Sequence, residues 1–245
     1  MTLQHAPPTS VKGQAASVAK PAQARAARRQ RSAERRATIG DTAARLFLRD
    51  GYLDTTMAAI AAEAGVAVQT LYLAFGSKMA MLAAAHDAAV VGTGRDVPVL
   101  ERSWVEAVHA EPDGRRALKV LIDNALGIVE RVSPIYAVIA AAAADAEVAD
   151  LLARTKQQRL TTLQALAESL AAKDGYAAAV PVARAADLLY AVVSDEQYRL
   201  LVVERGWPAP QWRDWCSSIL TNALFPDTPT PPRRKARPRQ SGGQR

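Results

Sequence analysis

The pattern of apolar and polar positions along the chain predicts an all-α protein. From residue 33 to residue 224 apolar side chains recur at helical spacing, and short Gly, Pro or Asp breaks separate the segments. In the first segment Ile39, Leu46 and Phe47 fall on one face, and Gly51 is placed to end the helix. Neither an alternating strand pattern nor an Asn-Gly hairpin turn interrupts the series.

Short helices are predicted directly after the first one. The second begins at Thr55 or Thr56, either of which can cap it, and Gly65 ends it. A third covers about Val68–Phe75, and a longer fourth follows Ser77, which is a suitable N-cap. Two short helices joined by a glycine-containing turn form a helix-turn-helix, whose second helix enters the major groove of DNA.

Longer helices are predicted for the remainder of the chain. They cover about 113–131, 145–172, 181–203 and 209–224. Ser133-Pro134 has the form of an N-cap followed by a first-turn proline, which indicates the start of a further helix. The natural boundary between a small N-terminal and a larger C-terminal helical domain lies near residue 92.

The net charge of +7 is concentrated at the two ends of the chain. Residues 1–36 carry eight Lys and Arg against one Glu, and residues 226–245 carry six against one Asp, so residues 37–225 have a net charge of −5. Both ends are rich in Pro, Ala or Gly, and we expect them to be disordered. Two interpretations stay open: solubilising tails, or an N-terminal arm that reaches DNA phosphates or the minor groove.

Composition argues against several other classes of protein. Cys216 is the single cysteine, which excludes an intrachain disulfide and a cysteine metal cluster. The three His are scattered, and no G-x-S-x-G, P-loop or HExxH pattern occurs, so we predict no catalytic residue, no metal site and no cofactor. No signal-peptide segment is found, and the apolar run 135–144 is too short to span a bilayer. We therefore expect a cytoplasmic protein without a membrane partner.

The stretch from Gly51 to Lys78 resembles the N-terminal domain of the tetracycline-repressor (TetR) family. The resemblance is carried, at intact spacing, by the following residues: Gly51-Tyr52, Thr55-Thr56, Ile60-Ala61, Ala64-Gly65-Val66, Thr70-Leu71-Tyr72, Phe75 and Ser77-Lys78. It implies a DNA-binding domain over 33–92 and a helical regulatory and dimerisation domain over 93–225. The charge distribution adds a basic arm over 1–32 and a basic tail over 226–245.

The resemblance also implies which residues contact DNA. Their predicted set is Thr55, Thr56, Val68, Gln69, Thr70, Tyr72 and Lys78. Gln69 can pair with adenine, and the methyl groups of Val68 or Thr70 can touch a thymine methyl. The remaining members are expected at phosphates, which position the protein without reading sequence.

Two departures from the family pattern narrow this readout. Ala67 stands where the family usually has a capping Ser, so the third helix lacks a side-chain cap. Ala74 stands where a His or another polar residue is common, and Leu73 is also apolar. Polar base readout is thereby reduced to Gln69 and Thr70, and the operator sequence does not follow from the chain.

The C-terminal helices are expected to form a homodimer and to hold a small hydrophobic effector. Four aromatic residues are available to line a pocket, with plain helix packing as the alternative: Trp104, Tyr136, Tyr190 and Tyr198. The expected function is a repressor that a small molecule releases from its operator. The alternatives are a constitutive or architectural DNA-binding protein and, more remotely, a helical enzyme. Effector identity, target genes and the sign of regulation stay open.

Overall fold

The computed structural model describes residues 15–92 and 97–227, with side chains from residue 23 onward. The predicted all-α class is confirmed: the regular structure of these residues is helical and they contain no β-strand. The α-helices are α1 Ala15–Asp54, α2 Met57–Glu63, α3 Val68–Phe75, α4 Lys78–Val91, α5 Ser103–Ala110, α6 Gly114–Ala141, α7 Ala146–Ala171, α8 Val182–Val192, α9 Asp195–Tyr198 and α10 Ala209–Leu224. A 3₁₀ turn covers Val99–Glu101, and a π-helical segment covers Arg199–Glu204.

Helix α1 begins well before the predicted start at residue 33. Residues 15–32 are helical, whereas the sequence analysis expected a disordered arm over 1–32; residues 1–14 and 228–245 lie outside the described residues. Ala, Arg and Gln are strong helix formers, and they extend a helix that the following turns have already nucleated. A hydrogen bond from the Gln30 amide to Glu34 Oε1 (3.0 Å) supports the added turns. At Gly51 the backbone turns out of the helix with φ 82°, as the glycine signal predicts.

The next helices begin and end close to the predicted residues. Thr56 rather than Thr55 caps α2, because its hydroxyl accepts a hydrogen bond from the Ala59 amide (3.1 Å). Ser77 caps α4 in the same way, and Ala67 leaves α3 without a side-chain cap. Local capping and glycine signals thus set the bounds of these helices.

The helix boundary predicted at Ser133-Pro134 is wrong. α6 continues through Pro134 to Ala141, and Ser133 is buried instead of capping a helix end. A proline removes one backbone hydrogen bond and leaves the carbonyl four residues earlier without its helical donor. Pro134 and Glu130 both lie on the exposed side of α6, so water can bind that carbonyl while Ile135 and Ile139 stay in the core.

The helix predicted over 181–203 is interrupted. α8 ends at Val192, and Ser194 then caps α9 by accepting a hydrogen bond from the Gln197 amide (3.1 Å). The carboxylate of Asp195 is buried and binds Arg159 Nη1 (3.0 Å), which holds the chain in this turn. The sequence does not indicate this break in the helix, because apolar residues recur at helical spacing on both sides of it.

The chain divides into two compact units. The first joins residues 1–98 with 127–158, and the second joins 99–126 with 159–245. This division does not follow the predicted boundary near residue 92. In the first unit, Phe47 of α1, Ile60 of α2 and Leu71 of α3 share a core with Ile139 of α6 and Leu151 of α7. The ends of α6 and α7 therefore complete the core of the helix-turn-helix.

The second unit closes around the C-terminal end of α10. Phe225 is buried, and its ring lies where a Cβ on Gly114 would stand, so α6 has to begin with glycine at this point. The Ala177 amide donates to the Leu224 carbonyl (2.8 Å), and Arg115 Nη2 donates to the Phe225 carbonyl (2.7 Å). These contacts attach the last described residues to the start of α6.

Among the described residues, no single helix is both long and apolar enough to cross a membrane. The pair α2 and α3 passes the same test of length and composition only when taken together, and it is bent by 107° at the break.

Candidate DNA-binding site

The bend between α2 and α3 has the geometry of a helix-turn-helix. The two helices are bent by 107° relative to each other, within the usual range of about 90–120° for this motif. Gly65 adopts φ 64° in the turn, a conformation that favours glycine. The Val66 amide donates to the Ala61 carbonyl (3.0 Å), and Ile60 and Leu71 anchor the two helices in the core.

Helix α3 presents one face to solvent. Val68, Gln69, Tyr72 and Leu73 are exposed on it, at 53% for Tyr72 and 81% for Leu73. Thr70 is half-buried and lies at the edge of this face. Of the predicted base-reading residues, Gln69 is therefore the most accessible polar side chain.

Leu73 was absent from the predicted set although it is the most exposed large apolar residue described. The signal that points to it is helical spacing, because Leu73 lies four residues after Gln69 and shares its face. In the major groove a leucine side chain can contact a thymine methyl group while a neighbouring glutamine pairs with an adenine, so Leu73 and Gln69 suit a thymine–adenine step.

The two threonines before α2 have different environments. Thr55 is 1% exposed, and its hydroxyl donates to the Gly51 carbonyl (2.7 Å), so its predicted contact with DNA is not available. Thr56 is exposed, and its hydroxyl oxygen accepts from the Ala59 amide. The hydroxyl hydrogen of Thr56 can still be donated to a phosphate.

Lys78 is partly buried and makes two hydrogen bonds within the first unit. Its ammonium donates to the carbonyls of Tyr52 (2.8 Å) and Thr55 (2.9 Å) and lies 4.2 Å from the centroid of the Tyr52 ring. Two of the three ammonium hydrogens of Lys78 are therefore used within the first unit, and its phosphate contact stays a prediction. The hydrogen bonds form because the α1–α2 connection leaves these carbonyls without helical donors, and a lysine at the start of α4 reaches them.

The Tyr52 phenol belongs to the same corner of the first unit. Burial raises the pKa of Tyr52, and the carboxylates of Asp145 and Glu147 raise it further. The ring also packs at 5.9 Å from the Phe47 ring. Tyr52 is therefore a neutral core residue that supports Lys78.

The four aromatic residues expected at an effector pocket are spread over the two units. Tyr136 is buried in the first unit, whereas Trp104, Tyr190 and Tyr198 belong to the second. Tyr198 is buried edge-on against Trp212, with ring centroids 5.3 Å apart. Trp104 and Tyr190 are half-buried, and the Tyr190 ring carries the guanidinium of Arg159 at 4.3 Å.

A partly buried charged cluster in the second unit was not among the predicted sites. Arg159 Nη1 binds the carboxylates of Asp195 (3.0 Å) and Glu196 (3.1 Å). Burial alone lowers the pKa of Arg159, but Glu196 and Asp195 raise it above its usual value. Within the described residues, Arg159 Nε and the indole N–H of Trp212 are buried donors without an acceptor. No short motif marks this cluster, because 36 residues separate its opposite charges.

Comparison with known proteins identifies the class. Residues 39–85 match the family described as bacterial regulatory proteins, tetR family. The predicted resemblance to the TetR family of helix-turn-helix regulators is confirmed over these residues. No curated protein sequence matches the chain.

Solved structures share its fold at low sequence identity. A TetR-family transcriptional regulator from Syntrophomonas wolfei is 21% identical with a TM-score of 0.62, covering 78% of this chain and 94% of that one. NalD, the secondary repressor of the MexAB-OprM multidrug efflux pump of Pseudomonas aeruginosa, is 19% identical with a TM-score of 0.60, covering 81% and 100%. The regulator FadR of Bacillus subtilis, in complex with stearoyl-CoA, is 16% identical with a TM-score of 0.59, covering 78% and 98%.

Proposed function

We propose that this protein is a homodimeric repressor that reads operator DNA with α3 and leaves it when a small hydrophobic molecule binds. The observation that carries the proposal is the exposed face of α3, positioned across the turn from α2. Gln69 pairs with an adenine in the major groove, and Val68 and Leu73 contact thymine methyl groups. Tyr72 and Thr56 donate hydroxyl hydrogens to phosphates on either side. Double-stranded DNA in the cytoplasm is the partner.

Selection of binding sites from a random DNA pool tests this reading. Gln69→Ala is expected to relax base preference at one position per half-site, at a cost of about 1–3 kcal/mol for the preferred base. Gln164→Ala is the matched control, because Gln164 is an exposed helical glutamine in the second unit. If both variants select the same sequence as the intact chain with equal affinity, α3 is not the reading helix.

The dimer is proposed to form through α8, the π-helical segment and α10. Val203 is 63% exposed and Leu200 is 47% exposed on the π-helical segment, and Trp215 and Ile219 are partly exposed on α10. Other large apolar residues of these helices are buried within the second unit and belong to its core: Leu189, Val192, Trp212 and Leu220. We expect an isologous dimer of this kind to bind two operator half-sites about one DNA turn, or a multiple of it, apart.

Light scattering on variants tests the dimer. Leu200→Asp and Val203→Asp are expected to shift the mass from a dimer toward the 26.2 kDa chain, because each would bury an unpaired charge. Leu100→Asp is the control, since Leu100 is an exposed leucine outside these helices. An intact chain that is monomeric at micromolar concentration would rule out the dimer.

The effector is proposed to combine an apolar body with a hydrogen-bond acceptor. Support comes from FadR, whose structure contains stearoyl-CoA, and from NalD, which is a repressor. In this chain Arg159 Nε and Trp212 Nε1 are buried donors, and either could donate a hydrogen bond to a carboxylate or carbonyl oxygen of the effector. The protein acts by shifting between DNA-binding and released states, without catalysis.

Thermal-shift screening with fatty acids and acyl-CoA thioesters, followed by operator-release assays, tests the switch. A true effector raises the melting temperature and weakens operator binding. The loss of operator affinity can be no larger than the ratio of the effector's affinities for the released and the DNA-binding state. Binders that stabilise the protein but leave operator affinity unchanged would favour the alternative, a constitutive DNA-binding protein.

A further inference from the structure

The N-terminal part of α1 carries a one-sided arginine face. Between residues 23 and 36 the chain has six arginines and a single acid, Glu34, and every side chain in this stretch is exposed. At about 100° per residue the arginines fall within an arc of about 160°. Glu34 and the following acid, Asp41, lie on the opposite side, together with Ala26 and Gln30. The arginine face comprises Arg25, Arg28, Arg29, Arg31, Arg35 and Arg36.

One edge of this face, the row of Arg25, Arg29 and Arg36, lies on the side of the first unit that contains α3. The guanidinium of Arg36 lies 4.1 Å from the centroid of the Phe75 ring, and Phe75 is the last residue of α3. A Cβ placed on Gly40 would come 3.9 Å from the same ring. Arg25 and Arg29 lie on the same row of the helix as Arg36, so the row continues from the end of α3 along α1.

The arginine face has no partner within the described part of the chain that would neutralise it. No ion pair to Arg25, Arg28 or Arg31 is formed there, and Glu34 accepts a hydrogen bond from Gln30 instead. The pairs Arg25/Arg29 and Arg31/Arg35 stand four residues apart, where like charges repel and oppose helix formation. An anionic surface along this face removes that repulsion.

We infer that the arginine face is a phosphate-binding surface that lies along the DNA backbone beside the bases read by α3. This inference rests on the proposed DNA-binding function. The residues from 23 to 38 extend about 24 Å beyond the start of the core at Ile39, at 1.5 Å per residue, long enough to follow several phosphates. A lipid surface does not fit, because the opposite face consists of Ala, Gln, Glu and Thr without the large apolar residues that insert into membranes.

A variant that moves the arginines without changing composition tests the face itself. It exchanges three neighbouring pairs: Ala27→Arg with Arg28→Ala, Gln30→Arg with Arg31→Gln, and Glu34→Arg with Arg35→Glu. Net charge and amino-acid content are unchanged, but three arginines leave the arc. A second variant, Arg28→Gln/Arg31→Gln/Arg35→Gln, removes the same three charges. Circular dichroism verifies that both variants stay folded.

The readout is the slope of log affinity against log salt concentration for the selected operator. Each lost phosphate contact lowers the slope by about 0.9, so both variants are expected to lose about 2–3 in slope per chain, together with a matching loss of affinity at low salt. If the exchanged variant keeps the slope of the intact chain while the neutralised variant loses it, the segment acts as a flexible arm and the inference is overturned. Equal slopes for all three proteins overturn it as well.

The test separates this inference from the proposed function. An intact chain that selects no DNA sequence refutes both. Sequence selection that depends on Gln69 but is indifferent to the arginine variants refutes the arginine face alone. Binding of the intact chain to vesicles of anionic phospholipid, lost in the exchanged variant while its DNA slope is unchanged, assigns the face to a membrane and overturns the inference.

Discussion

Replacing Lys78 by methionine separates a structural lysine from a phosphate-binding one. In the folded protein the ammonium donates to the carbonyls of Tyr52 and Thr55 at 2.8 and 2.9 Å and lies over the Tyr52 ring. Lys78→Met keeps the length and apolar stem of the side chain but removes both hydrogen bonds. The two carbonyls are then left in a partly buried corner without a donor.

The expected loss follows from these contacts. A hydrogen bond to a charged group contributes about 1.5–3 kcal/mol, and a cation over an aromatic ring about 0.5–1 kcal/mol at a partly exposed site. The contributions overlap because one ammonium makes them all, and water can partly replace it. We therefore expect the free energy of unfolding to fall by about 2–3 kcal/mol, which lowers the melting temperature by about 5–10 °C for a chain of this size.

Lys119→Met is the matched control for this experiment. Lys119 forms an exposed pair with Asp123 four residues along α6 (2.6 Å), and such a pair contributes only about 0.3–0.5 kcal/mol. Both variants are compared by urea denaturation and by gel-shift titration on DNA at several salt concentrations. The structural role is refuted if Lys78→Met is as stable as Lys119→Met while its salt slope falls by about 0.9, because that pattern is the loss of one phosphate contact.

Further predictions concern packing, capping and titration. Gly114→Ala places a methyl group against the Phe225 ring and should lower the free energy of unfolding, measured by urea denaturation, by about 1–3 kcal/mol. Gly127→Ala, which has room for a methyl group in the same helix, should be neutral or stabilising. Ser77→Ala removes the cap of α4 and should cost about 1 kcal/mol, and Ser77→Asp should restore it. Burial raises the pKa of Cys216 to about 12 from 9.0. The unfolded chain therefore loses the thiol proton before the folded chain does as the pH rises above about 9. The free energy of unfolding then falls by up to about 1.4 kcal/mol per pH unit, and Cys216→Ala should reduce this dependence on pH.

Helices α2, α3 and α4 could be predicted from sequence because their signals are local. The hydroxyl of Thr56 or Ser77 accepts a hydrogen bond from the amide three residues later, and Gly65 and Gly76 adopt the positive φ that favours a helix end. Such signals act within one turn of helix, so reading along the chain recovers them. The exposed position of Gln69 follows from the same periodicity.

Contacts between distant residues could not be predicted in this way. The carbonyls bound by Lys78 lie 26 and 23 residues earlier, and nothing in the sequence indicates that the α1–α2 connection leaves them without donors. The break before α9 depends on Arg159, which binds Asp195 from α7. Pro134 is tolerated because of the side of α6 on which it lies. In each case the tertiary environment decides between local alternatives of similar energy.

The shared core of the first unit limits how this protein can be recombined with its relatives. Ile139 and Leu151 pack with the core residues of α1 to α4, although they lie far along the chain from the DNA-binding helices. A chimaera made by a single junction after α4 would pair these helices with a foreign α6 and α7 and leave poorly matched surfaces in the core. The N-terminal helices of this chain therefore pack with a second, distant segment of the sequence, and transplanting them requires residues 127–158 to travel with them.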